Sequence, residues 1–363
     1  MPTFVIDSAA LSRNMEKLRR FTSAQIIAVV KGNGYGLGLV SYARFLTAQG
    51  VALLAVSTVE EAAALRDAGI TAQLLMLSST ALPEEIAALL TRDVILTVGS
   101  ADAARAVSDA AAVRGVTARV HVKLDTGMGR YGFLPQETAE AAALLQALPA
   151  LQVEGVFTHL SDAANAKCTA LQYRRFTEGV RILQEAGIDT GLRHVCASTA
   201  FLRYPEMHLD AVRLGSALLG RLSVPDTLGL ERIGWLEAQV TELKTLPAGW
   251  PVGYTGAYRT RRETRLALLP VGYTSGVGVT EETNALRLRD RLRRVLHAGR
   301  RLLRADGLTV LVNALLKSFR KIRRTQWTSN LRSEVRSAFP GKVSVYRYIR
   351  FSHEVLPSAR WRW

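Results

Sequence analysis

Residues 26–36 read IIAVVKGNGYG. The first five are apolar and four of those are β-branched. A run that short, apolar on both of its alternating faces, fits a parallel strand buried from two sides. It stops at Lys31, and Gly32, Gly34 and Gly36 crowd the turn that follows. In a parallel α/β barrel the C-terminal strand ends face the active site. A lysine placed there and partly desolvated has a lowered pKa and can form an imine with an aldehyde. The plain alternative for one strand-end lysine is a side chain snorkelling to water.

Similar runs recur at residues 53–56, 74–77, 94–98, 118–124 and 155–158. Between them lie Ala- and Leu-rich segments with charges on one side, as at 58–68 and 82–90, which read as helices. Thr58 with Glu61 fits a capping box at the start of the first. Strands alternating with helices over this length predict a parallel α/β fold. The roughly seven or eight repeats favour a closed (β/α)8 TIM-type barrel over an open sheet. We assign it residues 1–230.

Near Glu231 the pattern changes. Residues 238–246 alternate, 247–251 (PAGWP) read as a turn, and 252–259 and 265–271 read as strands. A smaller, mainly-β C-terminal domain is expected over 231–363, with the boundary at about 225–235. Residues 286–303 form a candidate basic amphipathic helix and 307–312 a strand-like run. After about residue 314 the pattern is poor.

With 48% apolar and 21% charged residues, the 363-residue chain has globular composition. No stretch approaches the roughly 18 apolar residues of a membrane span. Residues 1–20 lack the basic-then-apolar order of a secretory signal. The two cysteines, Cys168 and Cys196, are too few for a disulfide framework and are read as reduced. A cytoplasmic protein with no membrane partner is expected. The net charge is +16, but residues 281–363 hold 20 Lys/Arg against 6 Asp/Glu, so the rest of the chain is nearly neutral. Arginines with interleaved Trp327, Tyr346, Tyr348, Trp361 and Trp363 could bind nucleic acid, but no motif supports this and a nucleic-acid partner is set aside.

Five further strings carry candidate chemistry. Residues 122–132, VKLDTGMGRYG, take charged groups on a strand into a glycine-rich loop that reaches Arg130, whose fork suits a carboxylate or phenolate. Residues 157–161, FTHLS, place a histidine by a strand end, most simply a structural role, and residues 194–198 read HVCAS. Residues 212–220 read VRLGSALLG, with Arg213 followed by Gly215 and Ser216. Residues 269–276, LPVGYTSG, put Tyr273 after a glycine in a turn.

Taken in order, these strings resemble the alanine racemase family, which uses pyridoxal 5'-phosphate (PLP). The resemblance covers residues 1–278. It implies that Lys31 holds the cofactor as a Schiff base and also serves as one of two acid/base groups. It makes Tyr35 and Ser198 phosphate contacts, turns the Gly215 and Ser216 N–H groups to the phosphate from the start of a short helix, sets His159 against the cofactor ring, and pairs Arg213 with the pyridine nitrogen. Arginine keeps its proton, so that nitrogen stays unprotonated and the cofactor is a weaker electron sink, which suits racemisation. Arg130 would bind the substrate carboxylate, and Lys123 matches a lysine that some members carbamylate. Tyr273 would be the second acid/base group, supplied across a homodimer interface. Lysine and tyrosine on opposite faces meet the need for proton transfer on both sides of a planar carbon. The tyrosine's ordinary pKa of about 10 would have to be lowered by groups such as Arg130. No metal is expected.

The chain departs from the family pattern at Leu37, Ala197, Leu214, Leu219 and Thr274–Ser275. It also lacks the family's Met-Asp segment, since the last methionine is Met207. The end reads either as a divergent basic tail or as sequence translated out of frame, the second being favoured. The expected function is interconversion of L- and D-alanine, with a cell-wall precursor role following from the family alone. The alternatives are a racemase for another small amino acid such as serine, and a PLP-binding protein with impaired catalysis.

Overall fold

The computed structural model describes residues 2–253, 258–275, 350–351 and 358–362. They divide into two compact units, Asp7–Ile233 and a second built from Met1–Ile6 with Gly234–Trp363. The basic helix at 286–303, the run at 307–312 and almost all of the unpatterned end lie outside the described residues.

Strand β1 (Thr3–Ile6) belongs to the second unit. The first unit is a parallel sheet of β2 (Gln25–Val29), β3 (Leu53–Val56), β4 (Gln73–Ser79), β5 (Ile95–Val98), β6 (Ala118–Lys123), β7 (Leu151–Phe157), β8 (Leu192–His194) and β9 (Ala211–Leu214). Their order is β8-β7-β6-β5-β4-β3-β2-β9. Just beyond β8, Ala197 bridges Arg213 of β9 in parallel, and Arg213 N–H donates to Cys196 O at 2.9 Å. The sheet thus returns on itself as the expected eight-stranded barrel.

The opening run splits by its period of two. Ile27 and Val29 join Leu53, Ala55, Leu75, Ile95 and Ala211 in one buried cluster inside the barrel. Ile26, Ala28 and Val30 join Leu54, Val56, Leu74 and Met76 in a larger one shared with helix residues such as Leu46 and Leu65. Both faces lose water, which is why the strands read as unbroken apolar runs.

The helices form for local reasons. Asp7 caps Ser8–Phe21 by accepting from Ala10 N, and Ser100 caps Ala101–Val113 by accepting from Ala103 N. Thr58 caps Val59–Asp67 through Glu61 N, but the reciprocal half of the expected capping box is absent. The Glu61 carboxylate turns instead to Ser57 N and Gly32 N.

All six strands read from apolar runs are present. β8 and β9 were not singled out as strands, because His194 and Arg213 interrupt their apolar signal.

In the second unit, β10 (Gly234–Gln239) pairs antiparallel with β1 and with a late strand. β11 (Glu242–Leu246) pairs with β14 (Thr264–Leu268), and the short β12 (Pro251–Val252) pairs with β13 (Tyr258–Arg259). The alternating run at 238–246 is therefore two strands, and 252–259 holds two short strands that pair with each other. β15 (Arg350–Phe351) and β16 (Ser358–Arg362) complete the sheet β1-β10-β16-β15. Among the described residues no helix is long and apolar enough to cross a membrane.

Candidate active site

Immediately after β2 the chain coils into one tight turn, Lys31–Tyr35, of the left hand. Gly32, Asn33, Gly34 and Tyr35 all have positive φ, at 65°, 53°, 64° and 56°. Gly34 N–H donates to Val30 O at 2.8 Å, and Gly36 N–H to Gly32 O at 3.1 Å. Two non-glycine residues held left-handed store roughly 1–2 kcal/mol each, a strain that clusters at working sites. The turn swings Lys31 and Tyr35 over the barrel mouth.

A cavity of about 410 Å³ opens there. Its wall includes Lys31, Tyr35, Lys123, Arg130, His159, Ser198, Arg213, Gly215 and Ser216, which are all of the barrel's candidate residues. Among the described residues no carboxylate lines it, so four cationic side chains share one hollow. Such a site is built for an anion. Tyr273 opens a short 3-10 turn, Tyr273–Ser275, in the second unit.

The loop after β6 depends on Asp125. Its Oδ1 accepts from the N–H of Gly127 at 2.9 Å and of Met128 at 2.8 Å, and its Oδ2 from Arg130 N–H at 2.9 Å. Burial works to raise its pKa, but the N–H groups of Gly127, Gly129, Met128 and Arg130 prevail and hold it below the usual carboxylate range. Gly132 closes the same loop at φ +124°, where a Cβ would sit 2.5 Å from Asp125 N.

Lys123 is buried beside the cavity. Burial first, then Arg130, Arg213 and Lys31, pull it down to about 8 against the opposing pull of Asp125. Its Nζ lies 5.3 Å from the ring centroids of both Tyr131 and Phe157. His159 is pushed down to about 3 by burial and then by Arg213, Lys123, Arg130 and Lys31, so its ring is neutral.

Arg213 is 3% exposed. Nη1 donates to His194 Nδ1 at 2.7 Å and His194 O at 2.8 Å, and Nη2 to Thr158 O at 2.6 Å and Val195 O at 3.0 Å. Burial draws it down to about 10, so it remains charged at neutral pH. The Nε–H is the one guanidinium donor not spent on these bonds.

Residues 215–220 form successive i→i+3 turns, not the expected short helix. Leu218, Leu219 and Gly220 N–H donate to Gly215, Ser216 and Ala217 O. Ser198 Oγ accepts from Gly215 N–H at 3.4 Å and Ala217 N–H at 3.1 Å. A Cβ on Gly215 would collide with the Tyr35 hydroxyl, so glycine lets the phenol reach the backbone. Hydroxyls and N–H groups gathered this way suit a phosphate.

Sequence reading missed Asp125, Glu61, His121 and the ring of His194. Asp125 and His194 stand inside strings already singled out, and an acidic residue just before a glycine-rich stretch is a loop-capping signal.

An eight-stranded parallel barrel with a lysine at its cationic mouth, followed by a β domain, defines a class of two-part barrel enzymes. Residues 6–223 match the family model "Alanine racemase, N-terminal domain" and residues 233–302 match "Alanine racemase, C-terminal domain". An alanine racemase of Methanococcus maripaludis is 35% identical over 270 residues, 72% of each chain. The crystal structure of alanine racemase from D-cycloserine producing Streptomyces lavendulae superposes with TM-score 0.71 and 35% identity, covering 76% of this chain and 75% of that one. Alanine racemase from Bacillus anthracis with bound L-Ala-P gives TM-score 0.68 and 32% identity over 76% and 73%. The chain belongs to the alanine racemase family, and it is an amino-acid racemase of that type.

Proposed function

We propose that the chain interconverts L- and D-alanine with PLP, using Lys31 and Tyr273 as the two proton carriers. The observation that carries this reading is the shared cavity of Lys31, Arg130 and Arg213, with four cations and, among the described residues, no lining carboxylate. The donor set fits PLP. Tyr35, Ser198 and the Gly215 and Ser216 N–H groups suit its phosphate, and Arg213 Nε–H suits its ring nitrogen. When bound, PLP supplies an electron-withdrawing ring that stabilises negative charge at the substrate α-carbon.

The chain's own groups do the rest. Lys31 anchors the cofactor and carries a proton on one face of the substrate, and the Tyr273 phenol serves the other. Arg213 stays a donor at neutral pH and limits how much charge the ring withdraws. His159, neutral, offers a flat uncharged face beside the ring. Arg130 orients the substrate carboxylate, and carbamylation of Lys123 would give Arg130 an anionic neighbour. Tyr273 is delivered by a second copy in a homodimer, working in the cytoplasm.

The test is a visible absorbance spectrum of protein with PLP, followed by D-alanine production from L-alanine in the same sample. A cofactor band abolished by Lys31→Ala, with turnover, supports the whole reading. A band without turnover keeps the barrel roles and removes the two-base assignment. Absence of a Lys31-dependent band sinks the cofactor assignment.

A further inference from the structure

Behind the barrel mouth, three buried side chains stand in file. Arg213 Nη1 lies 2.7 Å from His194 Nδ1, and His194 Nε2 lies 2.9 Å from His121 Nδ1. Arg213 lines the cavity, and neither histidine does. Both histidines are 0% exposed.

The placement of protons follows from chemistry. A guanidinium can only donate. His194 Nδ1 must therefore accept, and its neutral ring carries its proton on Nε2. That N–H points at His121 Nδ1, which accepts in turn and leaves the His121 proton on its own Nε2. Both rings are neutral. Burial, then the charges of Arg213 and Arg119, draw His121 down to about 3, and burial with Arg213 holds His194 well below its ordinary value.

His121 Nε2 ends the file, buried and with no hydrogen-bond partner among the described residues. Native structures rarely leave a buried donor unpaired, and each case calls for a reason. The surroundings are also shaped to admit the ring. Gly155 of β7 lies flat against it, and a Cβ there would meet His121 Cε1 at 2.6 Å. Phe157 stacks on His194, with centroids 4.8 Å apart and planes 5° apart, so that ring is clamped edge-on between its two partners. An apolar residue at 121 would avoid the unpaired N–H, but the Arg213 guanidinium alone would then oppose a proton shift on His194, whose Nε2–H would be left without an acceptor.

We propose that His121 is a positioning residue for Arg213, holding His194 in the one tautomer whose Nδ1 can accept from the guanidinium. With the other tautomer, two donors would face each other and the guanidinium would be pushed out of place. The effect on turnover rests on the reading of Arg213 as the partner of the cofactor ring. The proton arrangement does not depend on it.

The experiment is histidine imidazole nitrogen NMR on the full chain, labelled with nitrogen-15 in histidine, with and without PLP. Wild type should show His121 and His194 both neutral and protonated on Nε2. In His121→Leu the His194 Nε2–H loses its acceptor. Its Nδ1–H form gains population, and kcat of the loaded enzyme falls about tenfold, as for a residue acting through a network, with KM for alanine nearly constant. His121→Asn places an amide oxygen near the former Nδ1 and should restore both the tautomer and most of the turnover. A wild-type His194 protonated on Nδ1 overturns the proposal. So does a His121→Leu variant whose His194 ring signals are unchanged, whether or not turnover falls, because such a fall is then a packing effect. Failure of the cofactor reading would appear in the Lys31→Ala absorbance test, and the spectrum without PLP would stand apart from it.

Discussion

Glu61 Oε1 accepts from the Gly32 N–H at 2.5 Å, while its Oε2 accepts from Ser57 N–H at 2.9 Å. One carboxylate on the helix after β3 therefore ties together the chain after two neighbouring strands, next to Lys31. Glu61→Ala should lower stability by about 1–2 kcal/mol, the usual worth of charge-assisted bonds at a half-buried site. It should also weaken the Lys31-dependent cofactor band. Urea denaturation and a PLP titration check both, and an unchanged PLP affinity would remove Glu61 from the site.

Gly132 faces two obstacles to substitution at once. Its φ of +124° disfavours any side chain, and a Cβ would sit 2.5 Å from Asp125 N and 2.8 Å from Leu124 C. Both neighbours are backbone and cannot swing aside. Gly132→Ala should destabilise the protein by about 2 kcal/mol or more and displace Arg130, raising KM for alanine more than it lowers kcat. Steady-state kinetics with a thermal melt would show this, and wild-type values in both would contradict it.

These sites also explain what sequence could convey. Strands β2 to β7 were legible because most of their side chains face apolar neighbours on both sides, as Ile27 inside and Ile26 outside show. β8 and β9 were hidden because their working residues, His194 and Arg213, break the run. His121 was hidden differently. In Arg119–Val120–His121–Val122–Lys123 it fits an ordinary alternation, and only folding brings it to His194, 73 residues on. β1 pairs with β10, from Thr3 to Glu237, a contact no local pattern encodes. The glycine-rich strings were readable because glycine is required where φ is positive or backbones meet, and those needs coincide with the site.

The buried histidines set the acid limit of the fold. His121 and His159 are held at about 3 in the folded chain, against an ordinary 6.5, chiefly by burial. The unfolded chain therefore binds more protons between those values. Their stabilising contribution is complete above about pH 6.5 and is lost as pH falls toward 3. Each should cost about 1.4 kcal/mol per pH unit across that window. Denaturation midpoints should fall between pH 6.5 and 5, where few carboxylates titrate, and His159→Asn should reduce the slope. A flat profile there would contradict neutral burial of these rings.

Lys123 poses the opposite problem, a buried cation among cations. With its pKa drawn to about 8 by burial and by Arg130, Arg213 and Lys31, a useful fraction is unprotonated at neutral pH. Only the free amine adds carbon dioxide, forming a carbamate and releasing a proton, and the product is an anion amid three positive neighbours. The same repulsion that destabilises the ammonium therefore favours the carbamate. Carbon-13 bicarbonate should give a carbamate signal in wild type that Lys123→Met abolishes. Without bicarbonate, Lys123→Met should raise the stability of the cofactor-free protein by about 1–2 kcal/mol, since a buried unpaired charge is replaced by an apolar chain of similar length. Absence of the signal would leave Lys123 a plain buried amine, and a loss of stability on substitution would mean that its contacts with Tyr131 and Phe157 outweigh the repulsion.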